Sequence, residues 1–197
     1  AAGMIIGIVT KTGVGLKLAS VLVGMANGNE IILLFCTMLT SLILGMGVPT
    51  TANYVITSTI AAPALIGLGV PILAAHMFVF YFGIIADITP PVALAAYAGA
   101  AISGGDPLKT GVNASKLGIA AFIVPYVFVL SPALLGIHAS AGQVIMTTIT
   151  ALIGMVGISS AMIGYLYRRL NAIERLIIFA AGLCLIDPES FTDLVGI

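Results

Sequence analysis

The chain has 197 residues, of which 60% are hydrophobic and only 7% are charged, and its formal net charge at pH 7 is zero. A soluble domain of this size normally carries about 25% charged residues, so this composition, with a mean hydropathy of +1.23, excludes a water-soluble fold and predicts an integral membrane protein that contacts the lipid bilayer. The balanced charge gives no indication of a nucleic-acid partner.

The sequence begins inside an apolar stretch, Ala1 to Val9, without an initiator methionine. This stretch is too short for a signal peptide and has no charged leader, so we expect the sequence to be the C-terminal part of a longer protein. Residues 13–26 follow, and their apolar positions predict an arm helix at the membrane interface.

The segment from Ile31 to Ile66 contains no charged residue. As one helix it would reach roughly 54 Å, far beyond a hydrocarbon core of about 30 Å, so the chain must reverse within it. The glycines between Gly45 and Thr51 permit unusual backbone conformations, and Pro49 suits the first turn of a new helix. Residues 31–66 are therefore predicted to form a re-entrant hairpin of two short helices.

The next apolar element, residues 72–103, is also too long for one crossing. It is interrupted at Asp87 to Pro91, where two consecutive prolines remove backbone donors and disfavour helix. The sequence therefore predicts a broken transmembrane helix with two halves, Ile72 to Ala86 and Val92 to Ser103. Small residues four apart on the second half predict a face for close helix packing: Ala95, Gly99 and Ser103.

Three apolar segments follow. Residues 117–135 and 143–167 are each long enough to cross a bilayer, whereas 176–186 is short and spans only with its flanks or lies partly at the interface. We divide the chain into a permease domain, 1–135, closed by helix 117–135, and additional C-terminal transmembrane helices with a polar tail, 143–197. The basic residues beside these segments fall on one side, which the positive-inside tendency makes cytoplasmic: Lys109, Lys116, Arg168, Arg169 and Arg175.

The cysteines and histidines are not interpreted as metal ligands. Cys36 and Cys184 lie inside apolar runs and are interpreted as small core residues, since a disulfide framework or zinc site needs clustered ligands. His76 lies on an apolar helix and is interpreted as a hydrogen-bonded packing residue. His138, in a loop, carries no functional signal.

The two interruptions predict a binding site, because irregular backbone at membrane depth persists only where protein or a water-filled cavity satisfies it. Pairs of interrupted apolar segments are the best sequence indication of a transporter's ion and substrate site. Unwound carbonyls can coordinate a cation such as sodium, and half-helix N-termini favour anions. The candidate ligands are the turn and polar residues at both breaks: Gly45, Gly47, Pro49, Thr50, Thr51, Asn53, Asp87, Thr89, Pro90 and Pro91. Within this set, the candidates for sodium are Gly45, Thr50, Asp87 and Thr89.

Asp87 has two interpretations. It is the only carboxylate between Glu30 and Asp106, and an ionisable residue in a membrane segment is a functional hypothesis by default. It could instead cap a helix or lie at the interface, since Asp before a break is a good cap. Thr50 and Thr51 have a similar alternative, capping the second arm of the hairpin, which is compatible with ion coordination.

Several motifs, in order, resemble the fused permeases of tripartite ATP-independent periplasmic (TRAP) transporters, with their DctM-like large membrane subunit. The resemblance extends over nearly the whole chain, and beyond about residue 140 it rests on hydrophobic pattern and on residues 192–194. The motifs are Leu44 to Ala52, Ala62 to Leu65, Ala74 to Gly83, Ile88 to Tyr97, Asp106 to Gly111 and Ser131 to Leu135.

This resemblance implies an all-α, inverted-repeat, elevator-type permease of the bacterial or archaeal inner membrane, driven by a sodium gradient. It implies a periplasmic solute-binding protein as partner and organic anions, often carboxylates such as C4-dicarboxylates, as substrates. The chain would supply the second repeat, with the first repeat and the small-subunit helices upstream. The acidic residue that separate large subunits often carry near the hairpin tip is replaced here by Val48-Pro49-Thr50, so no carboxylate ligand is expected at the tip.

Two other classes of function compete with transport. An intramembrane protease needs paired carboxylates or a nucleophile with a base, and the sequence shows neither pair, so we expect no enzymatic activity. The alternative is a channel-like or structural membrane subunit without ion coupling. A channel would be expected to show a polar pore-lining helix or a charged ring, and neither is visible.

Overall fold

The computed structural model describes residues 8, 11–137 and 139–186, and the regular elements within these ranges are helical. This agrees with the predicted all-α fold, while the inverted repeat stays a prediction. The chain divides into two compact units, residues 1–112 and 113–197. His138, the apolar stretch at the N-terminus and the polar tail after Ile186 lie outside the described residues, apart from Ile8.

Most of the first unit is built from short helices. They are α1 (Val14–Ala26), α2 (Glu30–Gly45), α3 (Thr50–Ile60), α4 (Ala62–Gly67), α5 (Ile72–Ile85), a 3₁₀ turn (Ala86–Ile88), α6 (Leu94–Ser103) and α7 (Pro107–Leu117), whose last residues belong to the second unit.

The ends of α2 follow from its sequence. Asn29 caps the start, because its side-chain oxygen accepts from the backbone N–H groups of Ile31 and Ile32 at 3.0 and 3.2 Å, which are among the donors that a helix leaves unpaired. At the other end Met46 is extended and Gly47 has a φ of +75°, a conformation that favours glycine. The chain thus leaves the helix within the segment where the turn is predicted, and α3 packs back against α2.

Helix α5 lies at the centre of the first unit, packed against α2, α3 and α4. It is apolar on all sides, as expected for a buried helix. Phe78 and Phe82 are fully buried and meet edge to face, with ring centroids 4.8 Å apart. They lie in the same core as other fully buried side chains: Leu33, Leu34, Leu65, Ala74, Ala75 and Val79.

The second predicted break is present at the end of α5. A 3₁₀ turn and an irregular segment, residues 89–93, precede α6. The Pro90–Pro91 peptide bond is cis, and Ala93 has a φ of +35°, which is uncommon for a residue with a side chain.

The packing face predicted for the second half of the broken helix is wrong within the described part of the chain. Ala95, Gly99 and Ser103 are exposed, and a Cβ on Gly99 would meet no atom within 4 Å. Ala96 and Ala100 are buried instead, because the face rotated by one residue is the one turned inward.

The second unit contains α8 (Ile119–Leu130), a 3₁₀ turn (Pro132–Leu135), α9 (Ala141–Ile163) and α10 (Ala172–Ile186). A capping box starts α9: the Gln143 N–H donates to the Ser140 hydroxyl, and the Gln143 side-chain oxygen accepts from the Ser140 N–H, so two unpaired donors are satisfied. The helix ends at Ile163, four residues short of the end of the apolar stretch predicted from the sequence, and Gly164, with a φ of +81°, follows as its C-cap.

Helices α9 and α10 form an antiparallel hairpin with a very close crossing. A Cβ on Gly154 would lie 2.6 Å from the carbonyl oxygen of Gly182, and one on Gly182 would lie 2.8 Å from that of Gly154. Arg175 joins the two helices at the end where the loop connects them, since its guanidinium donates to the carbonyls of Ala161 and Met162 at 2.7 and 2.9 Å. These carbonyls belong to the last turn of α9, where a cation is favourable.

Among the described residues, α9 alone is long and apolar enough to cross a membrane, and α7 and α8 would qualify together as one bent span. The remaining apolar helices are shorter. Short helices joined by breaks are consistent with the predicted hairpin and broken helix, whose depth in the membrane stays a prediction.

Candidate ion and substrate site

The two helix breaks lie next to each other in the first unit. Gly45, the last residue of α2, is buried, and a Cβ at this position would lie 2.9 Å from the Cβ of Ala86 and 3.0 Å from the carbonyl oxygen of Gly83. Only a glycine allows this approach, because real Cβ atoms essentially never come so close. The end of α2 therefore contacts the end of α5, so the first break begins beside the point where the second begins.

Asn53 joins the two elements through a buried hydrogen bond. Its side chain is 1% exposed, and its Nδ2 donates to the carbonyl of Gly83 at 2.6 Å. This contact fixes the orientation of the amide, since the opposite orientation would place two acceptor oxygens together. The Oδ1 atom of Asn53 has no hydrogen-bond partner among the described residues.

The hairpin turn presents an open helix end. Gly47, Pro49, Thr50 and Thr51 are exposed, and α3 begins without a side-chain cap. The capping role considered for the two threonines is therefore not observed. The first amides of α3 carry the positive end of the helix dipole, so this end of the hairpin can receive an anionic group.

The second break holds a carboxylate and a hydroxyl. Asp87 lies half-buried in the 3₁₀ turn, and among the described residues its carboxylate has no ion-pair or hydrogen-bond partner. It does not cap α6, which starts without a side-chain cap. Thr89 donates its hydroxyl hydrogen to the carbonyl of Ile85 at 2.7 Å, so its oxygen lone pairs remain available to a cation.

Several carbonyls at this break are already occupied. The Tyr97 hydroxyl donates to the carbonyl of Pro91 at 2.8 Å, and the N–H of Ala93 donates to that of Thr89 at 3.1 Å. Gly111 of α7 packs against Tyr97, with a Cβ position 3.2 Å from the ring. These bonds stabilise the irregular backbone and occupy the carbonyls of Thr89 and Pro91.

The structure brings together only part of the predicted set. Gly45 and Asn53 meet directly at the end of α5, beside the turn that carries Asp87 and Thr89, while the exposed tip residues form no described contact with that turn. Sequence reasoning missed Gly83 and Ala86, the partners of Gly45. Their signal is a pair of small residues three apart at the end of an otherwise bulky helix, as close helix packing requires.

The other residues considered from the sequence have structural roles. The Tyr54 hydroxyl and His76 Nδ1 lie 3.0 Å apart, and Tyr54 packs edge to face on Phe80, which confirms His76 as a hydrogen-bonded packing residue. Cys36 and Cys184 are free and partly buried. Within the described ranges, no cluster of three or more His, Cys, Asp or Glu side chains could hold a metal ion.

A separate apolar cavity of about 380 Å³ lies in the second unit. It is lined mainly by Phe122, Tyr126, Val127 and Leu130 of α8 and by Leu183 and Ile186 of α10. It contains none of the candidate ligands, and its apolar walls suit lipid chains better than a charged substrate.

Comparison with known proteins gives one family. The family model described as the tripartite ATP-independent periplasmic transporter, DctM component, matches residues 1–143, a range that includes both helix breaks and ends near the start of α9. No curated protein and no solved structure matches the chain.

Proposed function

The chain belongs to the DctM family, the membrane component of tripartite ATP-independent periplasmic transporters, and on that premise we propose that it forms part of a permease that imports small organic anions, driven by a sodium gradient. Carboxylates are the expected substrate class. DctM is a family of transporter permeases rather than of enzymes, so the activity is translocation across the membrane.

One observation carries the proposal: Gly45 at the first break packs directly against Gly83 and Ala86 at the second. Irregular backbone inside a membrane is stable where it lines a binding site, and half-helices that meet are the usual way in which transporters build ion and substrate sites. The convergence of the two breaks supports a shared site.

The side chains at the second break are suitable ligands for sodium. Asp87 is a half-buried carboxylate without a described partner, and the oxygen of Thr89 is free to bind because its hydrogen points to Ile85. Hard cations prefer oxygen ligands. We propose that these two side chains hold the coupling ion.

The anion would bind at the hairpin turn. Thr50 and Thr51 lie in the exposed first turn of α3, which has no side-chain cap. The positive end of the helix dipole and the free N–H groups favour a carboxylate there. Sodium at the adjacent break would increase the affinity for the anion by compensating its charge.

The family implies two partners. A periplasmic binding protein would deliver the substrate, and the small membrane subunit would complete the permease. We further propose that this chain contributes the second of two inverted repeats in the inner membrane, with the first repeat provided by preceding sequence.

The test is uptake of a radiolabelled C4-dicarboxylate or other carboxylate by the intact permease with its binding protein in proteoliposomes, with and without an inward sodium gradient. We expect sodium-driven uptake in the wild type, and Asp87→Asn and Thr89→Ala should lower uptake and raise the sodium concentration needed for half-maximal rate. Asp106→Asn is the matched control, because Asp106 only caps α7 through the N–H of Lys109 at 3.0 Å, a role that Asn retains.

The outcomes separate the alternatives. Sodium-driven uptake that is unchanged in both variants would move the ion site away from the second break. Uptake without any sodium dependence would exclude the proposed coupling, and passive flux that follows the substrate gradient alone would indicate a channel-like subunit.

A further inference from the structure

The connection between α9 and α10 carries a concentration of positive charge. Three of the chain's seven lysine and arginine residues lie within eight positions, Arg168, Arg169 and Arg175, against one acidic residue, Glu174. This segment therefore carries two net positive charges in a chain whose formal net charge is zero. It belongs to the second unit and lies beyond residues 1–143, the range that the family model matches.

Backbone contacts hold the loop in a defined turn. The N–H of Leu170 donates to the carbonyl of Gly164 at 2.9 Å, and Tyr165 and Arg169 are paired in an antiparallel bridge. A side chain on such a turn loses less conformational freedom on binding than one on an unstructured loop. The backbone that carries Arg168 and Arg169 is therefore organised before any ligand binds.

The three arginines are used to different extents within the chain. Arg175 donates to two backbone carbonyls of α9. Arg168 donates from Nη2 to Glu174 at 2.6 Å, which leaves further N–H donors of its guanidinium unused. The guanidinium of Arg169 has no ion-pair or hydrogen-bond partner among the described residues, and this residue is exposed. Two guanidinium groups thus remain able to bind an anion, and arginine binds phosphate oxygens in a bidentate manner.

An apolar groove of about 520 Å³ lies beside Arg168. The ion pair of Arg168 and Glu174 forms its charged part, and the other lining side chains come from the loop and from α10: Leu166, Tyr167, Leu170, Ile177 and Ile178. An apolar surface that includes a guanidinium group matches an amphiphile with an acyl chain and a phosphate headgroup, rather than a small hydrophilic anion.

Two exposed tyrosines indicate where the loop lies. Tyr165 is 55% exposed and Tyr167 is 92% exposed. Tyrosine is enriched where the hydrocarbon of a bilayer meets the headgroups, since its ring is apolar and its hydroxyl is polar. The loop also follows α9, which alone among the described helices is long and apolar enough to cross a membrane by itself. These features are typical of a loop at the level of the lipid phosphates.

We propose that the loop between α9 and α10 binds an anionic phospholipid of the bilayer, such as phosphatidylglycerol. Arg168 and Arg169 bind the headgroup phosphate, and an acyl chain lies in the groove against Ile177 and Ile178. Basic pockets beside transmembrane helices bind anionic headgroups in this way. The bound lipid fastens the hairpin of α9 and α10 to the membrane surface, and its binding does not depend on the sodium coupling proposed above.

The experiment follows the melting temperature of the intact permease, purified in detergent, as phosphatidylglycerol is added to the micelles. We expect a saturable rise, and a smaller one with phosphatidylcholine of the same acyl chains, because its choline cancels the phosphate charge. Arg168→Gln combined with Arg169→Gln should raise the half-saturating concentration of phosphatidylglycerol at least about tenfold. Lys109→Gln combined with Lys116→Gln, which removes two exposed charges from α7, should leave it unchanged.

Glycerol phosphate distinguishes a lipid from a free phosphate, because it carries a phosphate group without acyl chains. At the same concentrations it should give no rise in melting temperature. A rise equal to that with phosphatidylglycerol would indicate a site for small phosphate anions and would overturn the lipid as ligand.

The remaining results also decide the inference. Equal rises with the two lipids, or an unchanged response in the arginine variant, would overturn it. An equal weakening in the lysine variant would indicate general charge attraction and would overturn it as well. If the double arginine variant does not fold, Arg169→Gln alone must weaken the response, and Arg169→Lys, which keeps the charge, must weaken it less.

Discussion

The side-chain amide of Asn53 donates to the backbone carbonyl of Gly83 at 2.6 Å, across a separation of 30 residues. This bond joins the second arm of the predicted hairpin to the end of α5. Because the carbonyl of Gly83 also lies against Gly45, a single buried bond holds three helices at the point where both breaks meet.

We therefore expect Asn53→Ala to destabilise the first unit. Removal of one partner of a buried hydrogen bond costs about 1–3 kcal/mol, and Ala also leaves a space beside Gly45 and Gly83. Thermal unfolding in detergent should show a lower melting temperature, and Asn53→Asp should lower it at least as much, because its oxygen would face the carbonyl oxygen. Asn113→Ala, at an exposed position on α7, is the control and should change the melting temperature little.

Gly45→Ala tests the contact between the breaks. The new Cβ would lie 2.7 Å from Asn53 Nδ2, 2.9 Å from the Cβ of Ala86 and 3.0 Å from the Gly83 carbonyl, so the helices must separate. Overpacking of this kind typically costs 1–3 kcal/mol, and we expect both a lower melting temperature and lower uptake.

Gly99→Ala is the matched control for that substitution. Gly99 lies in α6 with no atom within 4 Å of a Cβ, and Ala favours helix over Gly by about 1 kcal/mol. This variant should be neutral or slightly stabilised. Equal stability of the two variants would contradict the close contact at Gly45.

The breaks could be predicted from the sequence because their causes are local. An uncharged segment too long for a bilayer, interrupted by Gly45, Gly47 and Pro49, must turn where those residues allow it, and Pro90 and Pro91 must interrupt a helix. In the structure the chain leaves its helical conformation at both places. The type of each side chain was enough for these predictions.

The pairing of the breaks could not be predicted in this way. Nothing local to Gly45 indicates Gly83 or Ala86, and the partner of Asn53 lies 30 residues away. On α6 the prediction took Ala95, Gly99 and Ser103 as the packing face, whereas Ala96 and Ala100 are the buried residues. Which face turns inward depends on packing, which spacing alone does not determine.

The pH dependence of the loop between α9 and α10 can be derived from Glu174. The N–H of Asn171 donates to this carboxylate at 2.9 Å, and Arg168 pairs with it at 2.6 Å. The backbone bond and then the Arg168 contact lower the pKa of Glu174 below its usual 4.5. A lowered pKa means that the stabilisation is present above the unfolded-state value and is lost as the pH falls through the folded-state value.

We expect the melting temperature of the wild type to fall as the pH decreases below 4.5, and Glu174→Gln should reduce this fall because Gln does not titrate. The effect should be small and weaker at high salt, since the pair is exposed to solvent. Glu30→Gln, on the first unit, is the comparison. An identical pH profile for the wild type and Glu174→Gln would show that the loop contacts do not stabilise the fold.

Gly154→Ala tests the crossing of α9 and α10. Its Cβ would lie 2.6 Å from the Gly182 carbonyl and 2.8 Å from Ile186 Cγ1, and backbone cannot move aside as the end of a flexible side chain can. The helices should therefore separate, with a loss of about 1–3 kcal/mol from overpacking. A lower melting temperature and faster proteolysis of the connection around Arg168 and Arg175 would report this change.

Gly157→Ala on the same helix provides the matched control. Its nearest atoms would be 3.6 Å away, on Ile178, which is ordinary contact, so the extra methyl fits and the greater helix propensity of Ala applies. We expect this variant to melt at or above the wild-type temperature. Because both substitutions make the same chemical change three residues apart, their difference measures the crossing itself, and a Gly154→Ala variant as stable as Gly157→Ala would show that α9 and α10 do not approach as closely as the structure places them.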